Sequence, residues 1–455
     1  MPPVLRTDAV SVVGLGKLGL CLAACFAERG VRTVGVDING DVVSAVNAGR
    51  SPIVEPDLDG AVARTSGRTL FAHTDAAPAI AETDITYILV NTPSDENGDF
   101  SNRQVEGALA ALAEALVNST KANHLFVISS TVMPGSIEGS FLPLLEKATK
   151  RKVNRGFMVA FCPDFVALGS VMKDFYHPDF VLIGESAPEA GEAVEKLHLS
   201  MCRNQPPVRR MPLVSAEMAK VCLNAYITMK ISFANTVANY CEQIPGADTD
   251  LITAAIGLDK RISPYYLKGG LAFGGTCFPR DTRAFKAVAK RLGQQSHLMD
   301  ATEAVNRQQD QILVDHVVAA LPKGEGRVAV LGLAFKPDTP VIVESPGVKL
   351  ISVLLARGIE VAAYDPLAVP ACHEYFGNAP GLRFAESAAA CLSGAEAAVL
   401  TVQNEEYRQA VYAATPGGTL VVIDCWRQLD GRSTPPGVEV RPWGHYRAGE
   451  KCPPR

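Results

Sequence analysis

The sequence predicts an α/β protein with two doubly wound units joined by a long central helix and a helical middle region. Three observations predict it. Short β-branched runs alternate with helical patterns through the first half, and a second alternation of the same kind opens at Val328. Between them, the stretch from Ser215 up to Gly246 contains no glycine and a single proline, Pro245. Strands separated by helices imply parallel sheets covered on both faces.

In chain order, Val10 to Val13 reads as a buried strand and Lys17 to Arg29 as a helix ended by Gly30. Thr33 to Val36, Ile85 to Val90 and Leu125 to Ser129 are the next strands. Met218, Cys222, Ala225, Met229 and Phe233 then recur at steps of four, three, four and four, a helical stripe. The helix would be ~40 Å long at 1.5 Å per residue, which suits a link between domains and a dimer contact, although an ordinary core helix shows the same stripe. In the second alternation Val328 to Leu331 is a strand and Pro346 to Arg357 a helix ended by Gly358. Glu360 to Tyr364, closing on Asp365-Pro366, then Ala397 to Val402 and Thr419 to Asp424 are further strands. The tail after Arg441, rich in Pro, Gly and charge, is expected to be poorly ordered. These elements divide the chain into residues 1–208, 209–310 and 311–455.

Composition narrows the class. At roughly 150 residues per domain, 455 residues make about three domains or two large ones. Forty-three basic and 48 acidic side chains leave a charge of −5, and 47% hydrophobic against 20% charged residues supply large cores. That excludes a disordered chain and lacks the basic footprint of a nucleic-acid binder. Eleven cysteines are too few for a disulfide scaffold of this length and read as free thiols of a reducing compartment. The apolar stretch Ala9 to Ala27 carries Lys17 and three glycines, which suits neither a signal peptide nor a spanning helix. A soluble, cytoplasmic protein without a membrane or nucleic-acid partner is expected.

Gly14-Leu15-Gly16-Lys17-Leu18-Gly19 follows the first strand and opens the first helix. Dinucleotide chemistry needs glycine at those points: for the tight turn, for close approach of backbone to a pyrophosphate, and for helix–sheet packing. The helix N-terminus then offers unpaired N–H groups and a positive dipole. A plain tight turn would use the same residues. The context decides: the second strand ends at Asp37, 23 residues after Gly14, where an acid meets ribose hydroxyls. Such an acid repels a 2′-phosphate, so NAD is favoured over NADP and a Rossmann-like domain is expected. Asn91-Thr92-Pro93 and Ser130-Thr131-Val132 close two further strands and point into the same crevice, outside the carboxyl ends of the strands; turn chemistry alone also favours Asn, Thr and Pro.

The stretch from Gly269 to Asp281 is the most informative. Two glycine pairs, Gly269-Gly270 and Gly274-Gly275, would let backbone approach a ligand closely, and Cys277 precedes a helical pattern from Thr282 to Leu292. A helix start and the neighbouring Arg280 would both favour a thiolate. Most of the other cysteines, such as Cys21, Cys25 and Cys222, read as small buried hydrophobes. A thiolate beside a nicotinamide adds to an aldehyde; the thiohemiacetal gives up hydride, and the thioester is hydrolysed. That route needs a base or cation near the oxyanion. Lys220 and Asn224, four apart on the long helix, would suit it, as would a merely solvated helix face.

From Ala9 to Asp430 these motifs, in order, resemble the nucleotide-sugar dehydrogenase family. Besides those above, the resemblance rests on Ala216-Glu217-Met218-Ala219-Lys220, Lys230 to Asn235, Gly257 to Ile262, Leu331 to Lys336 and Tyr364-Asp365-Pro366. It implies an NAD-dependent, four-electron oxidation of a sugar's sixth-carbon alcohol to a uronic acid. UDP-glucose is the foremost substrate, with GDP-mannose the nearest rival and a two-electron oxidation ending at the aldehyde the other alternative. By position, Cys277 would be the nucleophile, and Lys220 and Asp281 would handle protons and the oxyanion, with Asn224 orienting. Thr131 would hold the hydrolytic water, served by Asp164. Thr131 and Arg280 would also meet the cofactor, beside Gly14, Gly16, Lys17, Leu18, Gly19, Asp37 and Asn91-Thr92-Pro93. Phe335 and Lys336, with Tyr266, Lys268, Phe273 and Gly274, would line the substrate pocket. Arg261 would reach a partner subunit's substrate, so a homodimer or higher oligomer is expected, and no metal. The chain also departs from the family pattern. Asp164 stands for a glutamate, Leu168 for an acid, Phe180 and Val343 for arginines and Val42 for a basic residue, and Asp424-Cys425-Trp426-Arg427 varies a segment that supplies a substrate-binding arginine.

Overall fold

The computed structural model describes residues 5–322, 326–429 and 434–446. They fall into two compact units, Met1–Cys222 and Leu223–Arg455, each described by itself.

In the first unit the strands are β1 (Ala9–Val13), β2 (Arg32–Val36), β3 (Leu70–His73), β4 (Ile85–Ile88), β5 (Leu125–Ile128), β6 (Lys152–Val153), β7 (Gly156–Phe161), β8 (Val181–Glu185) and β9 (Val208–Pro212). The order is β3-β2-β1-β4-β5-β7-β8-β9, with β6 beside β7. Pairing is parallel from β3 through β7, and only β8 runs antiparallel, against β7. The chain leaves β1 to opposite sides for β2 and β4, so a crevice opens at their carboxyl ends. Val13 is level with Val36 and Ile88 in register, which sets the ends of all three strands at that crevice. Val10 and Val12 pack into one layer and Val13 into the other, the period-two consequence of a sheet covered on both faces.

The second unit repeats the plan. Strands β10 (Arg327–Leu331), β11 (Glu360–Tyr364), β12 (Leu382–Phe384), β13 (Ala397–Leu400), β14 (Leu420–Asp424) and β15 (Val438–Pro442) form a sheet of order β12-β11-β10-β13-β14-β15. All its pairs are parallel. Val328 and Val330 pack on one side, and Ala329 and Leu331 on the other.

The helix predicted from Ser215 onward is present as Leu213–Cys241, but its phase differs from the expected stripe. Met218, Cys222 and Met229 are half-buried and Phe233 is 53% exposed. The buried line is polar instead: Glu217, Lys220, Asn224, Thr228, Ser232 and Asn235. Apolar spacing misled because these buried polar groups each have hydrogen-bonding work, described below, and so hold the interior side without apolar surface.

The expectation of a poorly ordered tail after Arg441 also needs correction as far as Tyr446. β15 runs to Pro442, and Trp443 is fully buried and stacked on His316 at 4.8 Å. Gly444 N–H donates to Glu242 at 2.9 Å. Burying an indole and pairing its neighbours outweighs the local Pro/Gly composition. The rest of that tail lies outside the described residues. Among the described residues no helix is long and apolar enough to cross a membrane.

Candidate active site and dinucleotide site

The turn after β1 is built as its glycines suggest. Gly14 has φ 92°, and a Cβ there would lie 2.4 Å from the Leu89 carbonyl oxygen. One on Gly19 would lie 1.8 Å from the Gly14 carbonyl oxygen, so helix Gly19–Glu28 starts directly against the turn. Gly16 meets nothing within 4 Å and is exposed, an open approach for a phosphate. Leu18, at the helix N-cap, provides no side-chain cap, so the N-terminal N–H groups are left for an anion. Asp37 is half-buried; its Oδ2 accepts from Leu15 N–H at 2.7 Å and its Oδ1 from Asn39 N–H at 2.9 Å. The carboxylate therefore latches the glycine turn and keeps lone pairs for ribose hydroxyls. These residues fit an NAD dinucleotide.

The second unit holds the same latch in a spent form. Asp365, at the end of β11, accepts from Leu333 and Ala334 N–H with one oxygen and from Leu367 and Ala368 N–H with the other. It is 5% exposed. Gly332 and Gly347 keep the tight helix–turn contact, 2.4 Å from a would-be Cβ to the Gly332 carbonyl oxygen. Ala334 follows where an open glycine would be needed, so this turn is closed to a dinucleotide.

At the carboxyl ends of β4, β5 and β7 the first unit gathers several of the predicted residues. Ser130 Oγ donates to the Val90 carbonyl at 2.7 Å and accepts from Val90 N–H at 2.9 Å, and Thr92 Oγ1 donates to the Thr131 carbonyl at 2.7 Å. Thr92 is buried, while Asn91 and Pro93 are exposed at the same rim. Past Thr131, Glu217 accepts from Gly135 N–H at 2.7 Å and Ile137 N–H at 2.9 Å, tying the long helix to this turn. Three residues further along that helix, the Lys220 ammonium donates to the Asp164 carbonyl and lies 4.6 Å from the Phe165 ring centre. Phe180 packs on Phe165 at 4.7 Å, in place of the expected arginine. Asp164 Oδ2 is buried without a hydrogen-bond partner. Burial pushes the Asp164 carboxyl up to about 7, with Lys220 pulling it down. Leu168 packs against the core. Burial holds His124 at about 3 and His198 at about 4, so both are neutral structural groups rather than bases.

In the second unit Cys277 is the N-cap residue of helix Phe278–Arg291 and its thiol is exposed. The helix begins four residues earlier than the sequence pattern suggested, because Pro279 suits a first turn. Asp281 is fully buried, accepting from Asn224 Nδ2 at 2.6 Å and Arg280 Nε at 3.0 Å. Arg280 thus shares its charge with the adjacent carboxylate. The glycine pairs, expected to approach a ligand, approach protein. Would-be Cβ atoms lie 2.5 Å from the Ala234 carbonyl oxygen at Gly269, 2.7 Å from the Trp426 ring at Gly270, 2.3 Å from the Glu344 carbonyl oxygen at Gly274 and 2.5 Å from the Phe335 ring at Gly275. Phe335 therefore covers the turn just before Cys277, with Lys336 Nζ 5.9 Å from its ring centre. Phe273 and Tyr266 both set ring edges on Phe278, at 6.5 and 5.9 Å. Lys268 is held below the ordinary lysine range, by burial first and then by Arg427. Arg261 is 87% exposed in its side chain and pairs with Asp259. Arg427 is consumed structurally, pairing with Asp250 and donating to the Gly269, Cys425 and Trp443 carbonyls.

Three domain models of one family match consecutive stretches of the chain. They are the NAD binding domain over residues 8–202, the central domain over 214–308 and the UDP binding domain over 329–431 of the UDP-glucose/GDP-mannose dehydrogenase family. The chain belongs to this family. Among curated relatives, UDP-glucose 6-dehydrogenase AglM of Haloferax volcanii is 37% identical over 400 residues, 88% of this chain and 92% of that protein. GDP-mannose 6-dehydrogenase of Pseudomonas putida is 33% identical over 78% of this chain and 80% of its own length. The solved structure of a UDP-glucose dehydrogenase from Pyrobaculum islandicum matches with TM-score 0.86 and 32% identity, over 98% of this chain and all of that one.

As a member of the UDP-glucose/GDP-mannose dehydrogenase family, the chain is an NAD-dependent oxidoreductase acting on a nucleotide sugar. The structure also shows what sequence reasoning missed: the side chains that hold the thiol loop. Asn235 donates to the Leu271 carbonyl and accepts from Gly270 N–H, at 3.1 and 2.8 Å. Asn306 clamps Phe273 on both backbone groups, at 2.8 and 3.1 Å, and Gln309 donates to the Gly270 carbonyl at 2.6 Å. Amides in helix interiors are a weak signal, since their propensity is poor but unremarkable. Ile38, 98% exposed beside Asp37, was missed as well.

Proposed function

We propose that the chain oxidises UDP-glucose to UDP-glucuronate, with four electrons passing to two NAD. The observation that carries the reading is Cys277, an exposed thiol at a helix N-cap on a loop braced by Asn235, Asn306 and Gln309. NAD, when bound on the Gly14–Gly19 turn and Asp37, supplies the hydride acceptor for each oxidation. The Cys277 thiolate adds to the carbon of the aldehyde left by the first oxidation. Loss of hydride from that carbon leaves a thioester, and water then displaces the thiol and delivers the acid. Lys220 supplies the cation for the oxyanion, the Asn224–Asp281 pair orients and exchanges protons, and Asp164, with a carboxyl at about 7, draws a proton from the water held by Thr131. Phe335, Lys336, Tyr266, Lys268, Phe273 and Gly274 are assigned to the nucleotide sugar, and Arg280 to the cofactor. On this reading residues 1–208 bind NAD, 209–310 carry the central helix and 311–455 take the nucleotide.

UDP-glucose is favoured by the Haloferax relative and the Pyrobaculum structure; the Pseudomonas GDP-mannose enzymes, at 33% identity, make GDP-mannose the second reading. A working dimer is proposed from the exposed Tyr226, Phe233 and Tyr240, which recur every seven residues on the long helix, and from Arg261. The free cysteines favour a cytoplasmic enzyme. The test is NADH yield across a panel of nucleotide sugars. Two NADH per UDP-glucose supports the reading, one points to an aldehyde product, and none on any of the panel overturns it.

A further inference from the structure

We infer that Lys230 is a positioning residue that holds the 259–266 turn, and through it Tyr266, against the segment bearing the nucleophile. Its Nζ donates to three main-chain carbonyls in that turn: Ile262 at 3.1 Å, Ser263 at 3.2 Å and Tyr265 at 2.6 Å. An ammonium with its three hydrogens spent on carbonyls of one turn is a clamp, because each bond is charge-assisted and a single centre fixes three peptides together.

The turn needs holding. Ser263 and Tyr266 both take left-handed backbone conformations, φ 68° and 58°, without being glycine. Side chains other than glycine rarely adopt this region, and an aromatic one is a clear outlier that persists only where its surroundings over-determine it. The turn is otherwise closed by Ile262 and Ser263 N–H groups donating to the Asp259 carbonyl at 2.9 and 3.0 Å. What the strain achieves is visible one residue later: the Tyr266 ring is delivered edge-on to Phe278, next to Cys277. Burial holds Lys230 below the ordinary lysine range, as for a cation that has exchanged water for carbonyl oxygens.

The inference rests on the nucleotide-sugar reading, because the turn also carries Arg261 and Tyr266, both assigned there to the substrate. Lys230→Met keeps the length of the side chain and removes the donors. A misplaced contact typically costs on the order of 10- to 100-fold. We expect KM for the nucleotide sugar to rise by about that factor, with kcat within about threefold and NAD affinity unchanged. Two further variants keep the test sharp if Lys230→Met folds poorly. Lys230→Arg retains the charge and should keep KM within about threefold. Ser263→Gly adopts φ 68° without strain, so it should recover part of the lost KM in the Lys230→Met background. A Lys230→Met enzyme that is merely unstable, with fewer active sites but wild-type KM, overturns the inference, as does a KM that Ser263→Gly cannot improve. A wild-type enzyme that turns over no nucleotide sugar would instead overturn the reading beneath it.

Discussion

Asp164→Asn should stabilise the first unit above neutral pH while damaging the chemistry. The Asp164 carboxyl moves from an ordinary 3.8 to about 7 because burial penalises its charge more than Lys220 relieves it. A carboxyl raised in this way binds its proton more tightly folded than unfolded. Stability from this group is therefore intact below about pH 4, declines as pH rises through the window from about 4 to 7, and stays lost above it. At 1.36 kcal/mol per pH unit the full difference is about 4 kcal/mol, and partial hydration of a half-buried residue reduces it to about 2–4. Asparagine has no such cost, so the stability gap between variant and parent should open by that amount from pH 5 to pH 8. Both tryptophans, Trp426 and Trp443, lie in the second unit, so their fluorescence does not report on this change. Hydrogen exchange of the β5 and β7 amides, corrected for intrinsic rates, does. A gap that stays constant with pH would refute the assignment of a neutral, buried Asp164. In the same variant, hydrolysis should become the slow step and acylated Cys277 should accumulate.

Three other outcomes test the remaining residues. Lys220→Ala should lower turnover ~100- to 1,000-fold, the usual cost of an oxyanion donor; steady-state rates in folded protein check it, and near-normal turnover would return Lys220 to a purely structural place. Asp37→Asn should narrow the preference for NAD over NADP at least about tenfold in kcat/KM, because the charge that repels a 2′-phosphate is gone while an acceptor for Leu15 N–H remains; equal use of NADP by the parent would defeat this. Cys277→Ser should bind NAD and nucleotide sugar yet release at most one NADH per site, read by a single-turnover burst.

The strands and glycine turn were readable because each depends on local chemistry. Val10 to Val13 and Glu360 to Tyr364 are continuous apolar or β-branched runs, and Gly14, Gly19 and Asp37 satisfy backbone needs within one βαβ unit. Strands such as Gly156–Phe161 and Val208–Pro212 were not picked out; the second mixes Arg209 and Arg210 with apolar residues and sits at the edge of its sheet. The long helix was foreseen and its inward face was not, because Glu217, Lys220, Asn224 and Asn235 are paid for by partners 35 to 82 residues away in sequence. The thiol loop was located correctly, but its glycines serve Ala234, Trp426, Glu344 and Phe335. Periodicity cannot reveal which neighbour fills a missing side chain.

The distribution of sulfur has a practical consequence. Of the ten described cysteines, Cys277 alone is exposed and Cys222 is half-buried, while the other eight are buried. Burial pushes Cys25, Cys372 and Cys391 up to about 12, so those thiols stay protonated and unreactive at neutral pH. Electrophiles and peroxides therefore meet one sulfur first, and it is the one the chemistry needs. Inactivation by a small alkylating agent should be first-order and complete at a single added mass per chain, and bound nucleotide sugar should slow it. The enzyme thus carries its own active-site titrant, and under oxidative stress it fails at the reacting atom while its core stays intact.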